Sequence, residues 1–291
     1  HLDFQRPILI IPNLAIHMNR EVNKGVEIKV QKEMQPLLTQ LIEDEIKDNY
    51  MLDLVAKEAG VDREDILDMD LNVYCSEEGM LVGSKGEFIS CPRIDDLSMV
   101  YAAMEALVES KHKDGINVVA FMDNEEIGSM TRQGADSVML SNILERIRMG
   151  TARREQGSIH ELMNFFVISA DCAHGLHPNY GEKSDITNKP VMNKGMAIKI
   201  SCNRSYASEV ETIAAFQQLC DKASVKYQKF VNHSDQPGGT TLGPLLSKYV
   251  PVHVVDVGVP MLAMHSTREL MGKQDFLDSI EVFRTFFQLE E

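Results

Sequence analysis

The chain has 291 residues, 44% hydrophobic and 25% charged, with a formal net charge of −15. These are ordinary globular proportions with ample material for a core, and so acidic a chain argues against nucleic acid or an anionic membrane as its main partner. No apolar run approaches the ~20 residues that span a bilayer, and five cysteines without a C-x-x-C pair read as reduced thiols of a cytoplasmic protein rather than a disulfide framework or a cysteine zinc site.

In chain order, "PILIIP" at 7–12 reads as a short strand bracketed by prolines, with no signal peptide before it, and "VEIKV" at 26–30 alternates like a second. Residues 37–59 read as a helix ending at Gly60, and 62–68 as a short helix opening at Asp62. "MDLNVY" alternates again, and "GMLVG" and "EFIS", split by Ser84-Lys85-Gly86, predict a hairpin. From Cys91 the rhythm changes. Leu97, Val100, Tyr101, Met104, Leu107 and Val108 recur with helical period. Strands are expected at 117–122, 164–171 and 197–201, then at "VKYQKFV" and "VHVVDVG". Helices are expected at 135–148, at 209–222 behind a Ser208–Glu211 capping box, and at the C-terminus behind Asp275. Apolar strands alternating with helices predict an α/β fold: a mixed, largely parallel sheet with helices on both faces. The first ~90 residues lack that rhythm. The expected division is therefore a smaller, β-rich part over 1–90 and a second domain over 91–291.

In such sheets, ligand groups collect beyond the carboxyl ends of strands. Here "FISCPRIDD" delivers Asp95 and Asp96, "NVVAFMDNEE" delivers Asp123, Glu125 and Glu126, "FFVISAD" delivers Asp171 with His174 close behind, and "VPMLAMHS" delivers His265. Taken singly, each piece has a plain structural reading: Asp95-Asp96 as a helix cap, Glu125-Glu126 as a solvated loop, His265 as a core histidine. Four segment ends in order are harder to reach by chance. Carboxylates gathered in one cavity need a compensating cation. Carboxylate plus imidazole suits zinc, and also manganese or cobalt, and more than three such groups suit a pair of metals that activates water for hydrolysis.

"IPNLAIHMNR", "CPRIDDLSMVYAAMEAL", "DNEEIGSMTRQGADS", "ISADCAHGLHPNYGEKSDITNKP", "GGTTLGP" and "VPMLAMHSTRE" together resemble the M18 family of metallo-aminopeptidases over residues 7–289. The resemblance implies a zinc-exopeptidase-like fold, with residues 1–90 as a dimerisation and lid domain and 91–291 as part of the catalytic domain. It implies two divalent cations, Asp95 bridging them, Glu126 and His265 on one and Asp171 on the other. It implies Glu125 as the general base, with His174, Lys199, Tyr206 and Gly239 holding substrate. His17 matches a histidine that reaches the active site of a neighbouring subunit. Peptides with a free N-terminus are the implied substrates, and homodimers building a dodecamer the implied assembly. The histidine of the family's "AHTD"-type motif does not occur in this sequence, which reads as the C-terminal two-thirds of a member. One metal site is then expected to lack a ligand, and a catalytically incomplete assembly or shell subunit stands as the alternative.

Overall fold

The protein is described by a computed structural model covering residues 1–41, 49–111, 115–151, 165–236 and 238–289. In chain order, its strands are β1 (Met80–Val82), β2 (Phe88–Cys91), β3 (Phe166–Ala170), β4 (Ala173–His174), β5 (Met196–Lys199), β6 (Tyr227–Phe230), β7 (His253–Gly258), β8 (Pro260–Leu262) and β9 (Glu269–Gly272). Its α-helices are α1 (Val30–Glu33), α2 (Tyr50–Ala59), α3 (Ile94–Glu109), α4 (Met139–Thr151), α5 (Val210–Ala223), α6 (Leu242–Tyr249) and α7 (Lys273–Phe287).

The predicted hairpin forms, with Leu81 opposite Ile89. Gly83 (φ 97) and Gly86 (φ 62) supply the left-handed positions of its turn. β2 then pairs with β9, β9 with β8, and β8 with β4, giving the order β1-β2-β9-β8-β4. A second sheet runs β3-β7-β5-β6. The pairs β3–β7, β5–β6 and β4–β8 are parallel, and the others are antiparallel. The fold is thus α/β with two mixed sheets.

The core of the second sheet follows from its sequence. "MAIK" in β5 is buried throughout and "HVVDVG" in β7 is buried after its first residue, as expected of strands covered on both faces. Met99, Ala102 and Ala106 of α3 meet Val282, Phe283 and Phe287 of α7, together with Phe216 of α5, Ile198 and Val257. Full burial of each large apolar side chain contributes roughly 1.5–3 kcal/mol.

The chain separates into two compact units, His1–Ser76 and Glu77–Glu291. The division falls after Ser76 rather than near residue 90, because the β2–β9 ladder draws the hairpin into the second unit. In the first unit, the described residues hold α1, α2, single 3-10 turns and one isolated bridge between Ile10 and Leu37. The strands expected at 7–12, 26–30 and 69–74 are not formed there, so this unit is not β-rich among the described residues. Alternation alone does not make a strand without a neighbour to complete its ladder. Of the helix expected over 37–59, α2 and its left-handed Gly60 cap (φ 69) are present; residues 42–48 lie outside the described residues. The helix expected over 62–68 contracts to a 3-10 turn, Arg63–Asp65.

Two caps move. Glu209, not Ser208, caps α5: its N–H donates to Thr212 Oγ1 at 2.9 Å, while Ser208 Oγ accepts from Asp256 N. Ser208 is committed to β7 and cannot also close the helix. At α7 the N-cap is Gly272, and Asp275 turns from the helix to accept from Asn193 N (2.5 Å) and Gly195 N (2.7 Å).

Candidate metal centre and cavity

Three of the four predicted segment ends do follow strands: Asp95 comes after β2, Asp171 after β3 and His265 after β8. The fourth does not. Residues 117–122 join no strand of the described structure; they are held by Val119 against the core and by Asn117 Nδ2 donating to Phe287 O at 2.8 Å. Glu125 and Glu126 lie on a 3-10 turn between Asn124 (φ 61) and Gly128 (φ 101). Asn124 Oδ1 accepts from Thr131 Oγ1 (2.8 Å) and Gln133 Nε2 (3.2 Å), which ties the turn to the loop behind it. Asp95 opens α3 with non-helical angles (φ −80, ψ 113), and the Asp95–Asp96 peptide bond is cis. His265 is left-handed (φ 66), a costly conformation for a non-glycine residue that surrounding contacts must hold. Asp171 N donates to Val257 O at 2.9 Å, and β7 passes directly beneath. Only a glycine fits at 258, where a Cβ would stand 1.6 Å from Asp171 O.

These segments enclose a cavity of about 370 Å³ lined by Asp95, Glu125, Glu126, Asp171, His174, Lys199, Tyr206, Gly239, Thr240, Thr241, Met264 and His265, among others. Nine of the ten residues singled out from the sequence therefore line one space. The tenth, His17, is exposed on the turn Ile16–Met18 of the first unit.

The ring Nε2 of His265 lies 3.1 Å from Asp95 Oδ2 and 3.0 Å from Glu126 Oε2. Asp95 Oδ1 and Asp96 Oδ1 are buried without any hydrogen-bond partner. Burial, with Asp171 and Glu126 nearby, pushes the Asp95 carboxyl up to about 8. Asp96 is driven well above the usual carboxylate range, first by burial and then by Asp171. Burial, and after it Asp171 and Glu126, raise Glu125 to about 7. Burial also raises Glu126, with His265 opposing the rise. Such crowding of desolvated carboxylates is what a bound cation relieves.

The donors fit a divalent metal. One ligand atom each from Asp95, Glu126 and His265 lie within 4.8 Å of one another, a carboxylate and imidazole set suited to zinc. The orphaned Asp95 Oδ1 has unused acceptor capacity, and Asp171 stands close enough to act on Asp95 electrostatically.

The opposite wall is cationic and aromatic. Lys199 Nζ donates to Asp171 Oδ2 at 2.8 Å and lies 5.6 Å from the centre of the Tyr206 ring. Its side chain is 4% exposed, so it does not snorkel to solvent. Burial alone would lower this ammonium, but the charge of Asp171 and the hydrogen bond to it hold it above its ordinary value. Tyr206 OH accepts from Asn232 Nδ2 at 3.0 Å, and His174 meets Phe230 edge-on, centroids 6.3 Å apart.

Two further buried acids, Asp256 and Glu269, were not among the residues singled out from the sequence. Asp256 is fully buried; its oxygens accept from Thr241 Oγ1 (2.8 Å) and Ala207 N (2.5 Å), pinning both loops of the cationic wall. Gly243 leaves the room, since a Cβ there would stand 2.5 Å from Asp256 Oδ2. The signal for Asp256 was a lone acid inside an apolar strand run. Glu269 lies in the polar "HSTRE" and gave none.

A family model described as Aminopeptidase I zinc metalloprotease (M18) matches residues 1–287. A protein of Clostridium novyi (strain NT) called "Probable M18 family aminopeptidase 2" is 47% identical over 289 residues, covering 99% of this chain and 66% of that protein. The chain thus spans slightly less than two thirds of that relative's length. Among solved structures, the cryo-EM complex of Ape4 and Nbr1 matches with a TM-score of 0.90 at 33% identity, covering 98% of this chain and 58% of that one. The mApe1 dodecamer of S. cerevisiae matches with a TM-score of 0.79 at 27% identity, covering 97% and 62%.

Proposed function

The chain belongs to the M18 peptidase family, and from that premise we propose that it carries most of the active site of a dinuclear zinc aminopeptidase. The observation that supports this best is the buried, orphaned carboxylate oxygen of Asp95, at a cavity that also holds Glu125, Glu126, Asp171 and His265.

In this reading Asp95, Glu126 and His265 would hold one cation, and Asp95 with Asp171 would hold the other. Such cations supply Lewis-acid polarisation of the scissile carbonyl and lower the pKa of water in the site. Glu125 takes a proton from the attacking water as its oxygen adds to the carbonyl carbon. It then passes the proton to the leaving amine as the C–N bond breaks. A half-buried carboxyl held near 7 suits both directions of that transfer. His174 would donate to the developing oxyanion, and His17 would do the same from a neighbouring subunit. Lys199, buried and cationic, suits a substrate carboxylate, which leans the preference toward an acidic N-terminal residue. Tyr206 and the Gly239 loop shape the space for the substrate's first residue. The dodecameric relative supports a homo-oligomer; dimers as its building unit, with the first unit as dimerisation and lid region, are part of the proposal. Among the described residues no helix is long and apolar enough to cross a membrane, and a cytoplasmic enzyme acting on peptides remains the proposal. The catalytically incomplete shell subunit is not favoured, since the matched relatives are called aminopeptidases.

Glu125→Gln tests the mechanism. Hydrolysis of aminoacyl chromogenic substrates should fall by roughly 10²–10⁴-fold with zinc content unchanged. Undiminished turnover in that variant would remove Glu125 from the role of base.

A further inference from the structure

We infer that Glu269 is a positioning residue that sets the spacing between the Asp95 and His265 segments, and thereby the geometry of the cation site they form. This rests on the reading above, that Asp95 and His265 serve one metal centre.

Glu269 opens β9, opposite Cys91 at the end of β2, and is 2% exposed. Its two oxygens divide between two backbone donors: Oε2 accepts from Asp95 N at 3.1 Å and Oε1 from His265 N at 2.5 Å. Those donors are 170 residues apart in sequence. Both belong to irregular backbone, Asp95 before the regular turns of α3 and His265 in the left-handed region, where no ladder bond reaches them. One rigid carboxylate therefore clamps the main chain behind both side chains, while His265 Nε2 and Asp95 Oδ2 meet at 3.1 Å in the cavity.

The choice of residue supports the inference. Glu269 brings another negative charge toward an already crowded carboxylate cluster, and among the described residues no Lys or Arg pairs with it. Burying such a charge is costly, and an apolar side chain of similar volume would fill the space more cheaply. What an apolar residue cannot do is accept from two separate N–H groups at once. Glutamine cannot either: its amide offers one oxygen, and its NH₂ would face the second N–H donor to donor. Aspartate keeps the carboxylate but is one methylene too short to reach both.

The test compares the wild-type chain with Glu269→Gln, Glu269→Asp and Met271→Ala. Met271 is a buried neighbour on the same strand, 3% exposed, that touches neither backbone donor. Three quantities are read: zinc affinity by competition with a chromophoric chelator, the visible absorption of the cobalt-loaded protein, and the melting temperature without metal. Groups that orient metal ligands typically contribute roughly 10–100-fold to affinity. A loss of that size is expected for Glu269→Gln and a smaller one for Glu269→Asp, each with an altered cobalt spectrum. Met271→Ala should lower the melting temperature and leave affinity and spectrum as in the wild type. If one Glu269 variant does not fold, the other decides. Wild-type zinc affinity and spectrum in a folded Glu269 variant overturn the inference. So does an equal loss of affinity in Met271→Ala, which would make the effect one of stability alone. Failure of the wild-type chain to bind zinc or cobalt would instead overturn the metal-centre reading beneath it.

Discussion

At Glu269, Asp256 and Asp275 each carboxylate oxygen faces a hydrogen-bond donor from the protein. In the same unit of the fold, Asp95 and Asp96 each bury an oxygen that faces none. Both groups are removed from water, and both bear the cost of that removal. The first group recovers it from backbone N–H groups and a hydroxyl and so is closed by the protein itself. The second is not: its orphaned oxygens stand among other carboxylates, and Asp95 also lines the cavity. The contrast separates acids whose oxygens the protein itself satisfies from acids that, on the proposed reading, would take a cation, with no appeal to their position in the chain.

That contrast predicts opposite signs under substitution. The largest effect is expected at Asp95→Asn. Zinc affinity should drop by more than the roughly 100-fold that marks the upper range for outer contacts. The metal-free protein should nonetheless melt higher than the wild type, because a desolvated carboxyl with one oxygen unpartnered, crowded by Asp171 and Glu126, is replaced by a neutral amide. Zinc titration and a melting curve recorded in chelator read both; a lower metal-free melting temperature would erase the distinction. Asp256→Ala should act the other way. It leaves Ala207 N and the Thr241 hydroxyl buried without an acceptor, a loss of about 2–4 kcal/mol in urea denaturation, with zinc affinity preserved. If activity is measured, KM should rise more than kcat falls, because the loops carrying Tyr206 and Thr241 loosen.

The smallest effect is a pH dependence. Burial raises the Asp275 carboxyl to about 6, above its value in the unfolded chain. The stability linked to this group is thus fully present below the ordinary carboxylate range near 4 and lost as pH rises through about 6. Relative to Asp275→Asn, the wild type should lose on the order of 1–3 kcal/mol between pH 4 and pH 7, seen as a shift in relative urea midpoints. Equal midpoint differences at both pH values would remove Asp275 from the contrast.

The segment ends that line the cavity were legible in the sequence because charge at the end of an apolar run stands out against its local background. Asp95, Glu126, Asp171 and His265 are visible that way. The α/β alternation from Cys91 onward was legible for the same reason of period and run length. What was not legible depends on distant partners. The run at 117–122 has strand composition but finds no ladder in the described structure. Ser208 has the chemistry of a cap, yet β7 claims its hydroxyl. Glu269 looks like a solvated turn residue until β9 is laid against β2, some 180 residues earlier in the chain.

Gly258 carries a last consequence. Because β7 crosses under Asp171 where a single methyl would collide with its carbonyl, the height of that carboxylate above the sheet is set by an absent side chain. Libraries that randomise the visible lining of the cavity can therefore redraw the wall at Tyr206 and Thr240 while keeping Lys199, whose ammonium holds the Asp171 carboxylate. On the proposed reading, a change in the lining of the cavity and the placing of Asp171 are separable in this fold, and the line between them runs beneath the cavity floor.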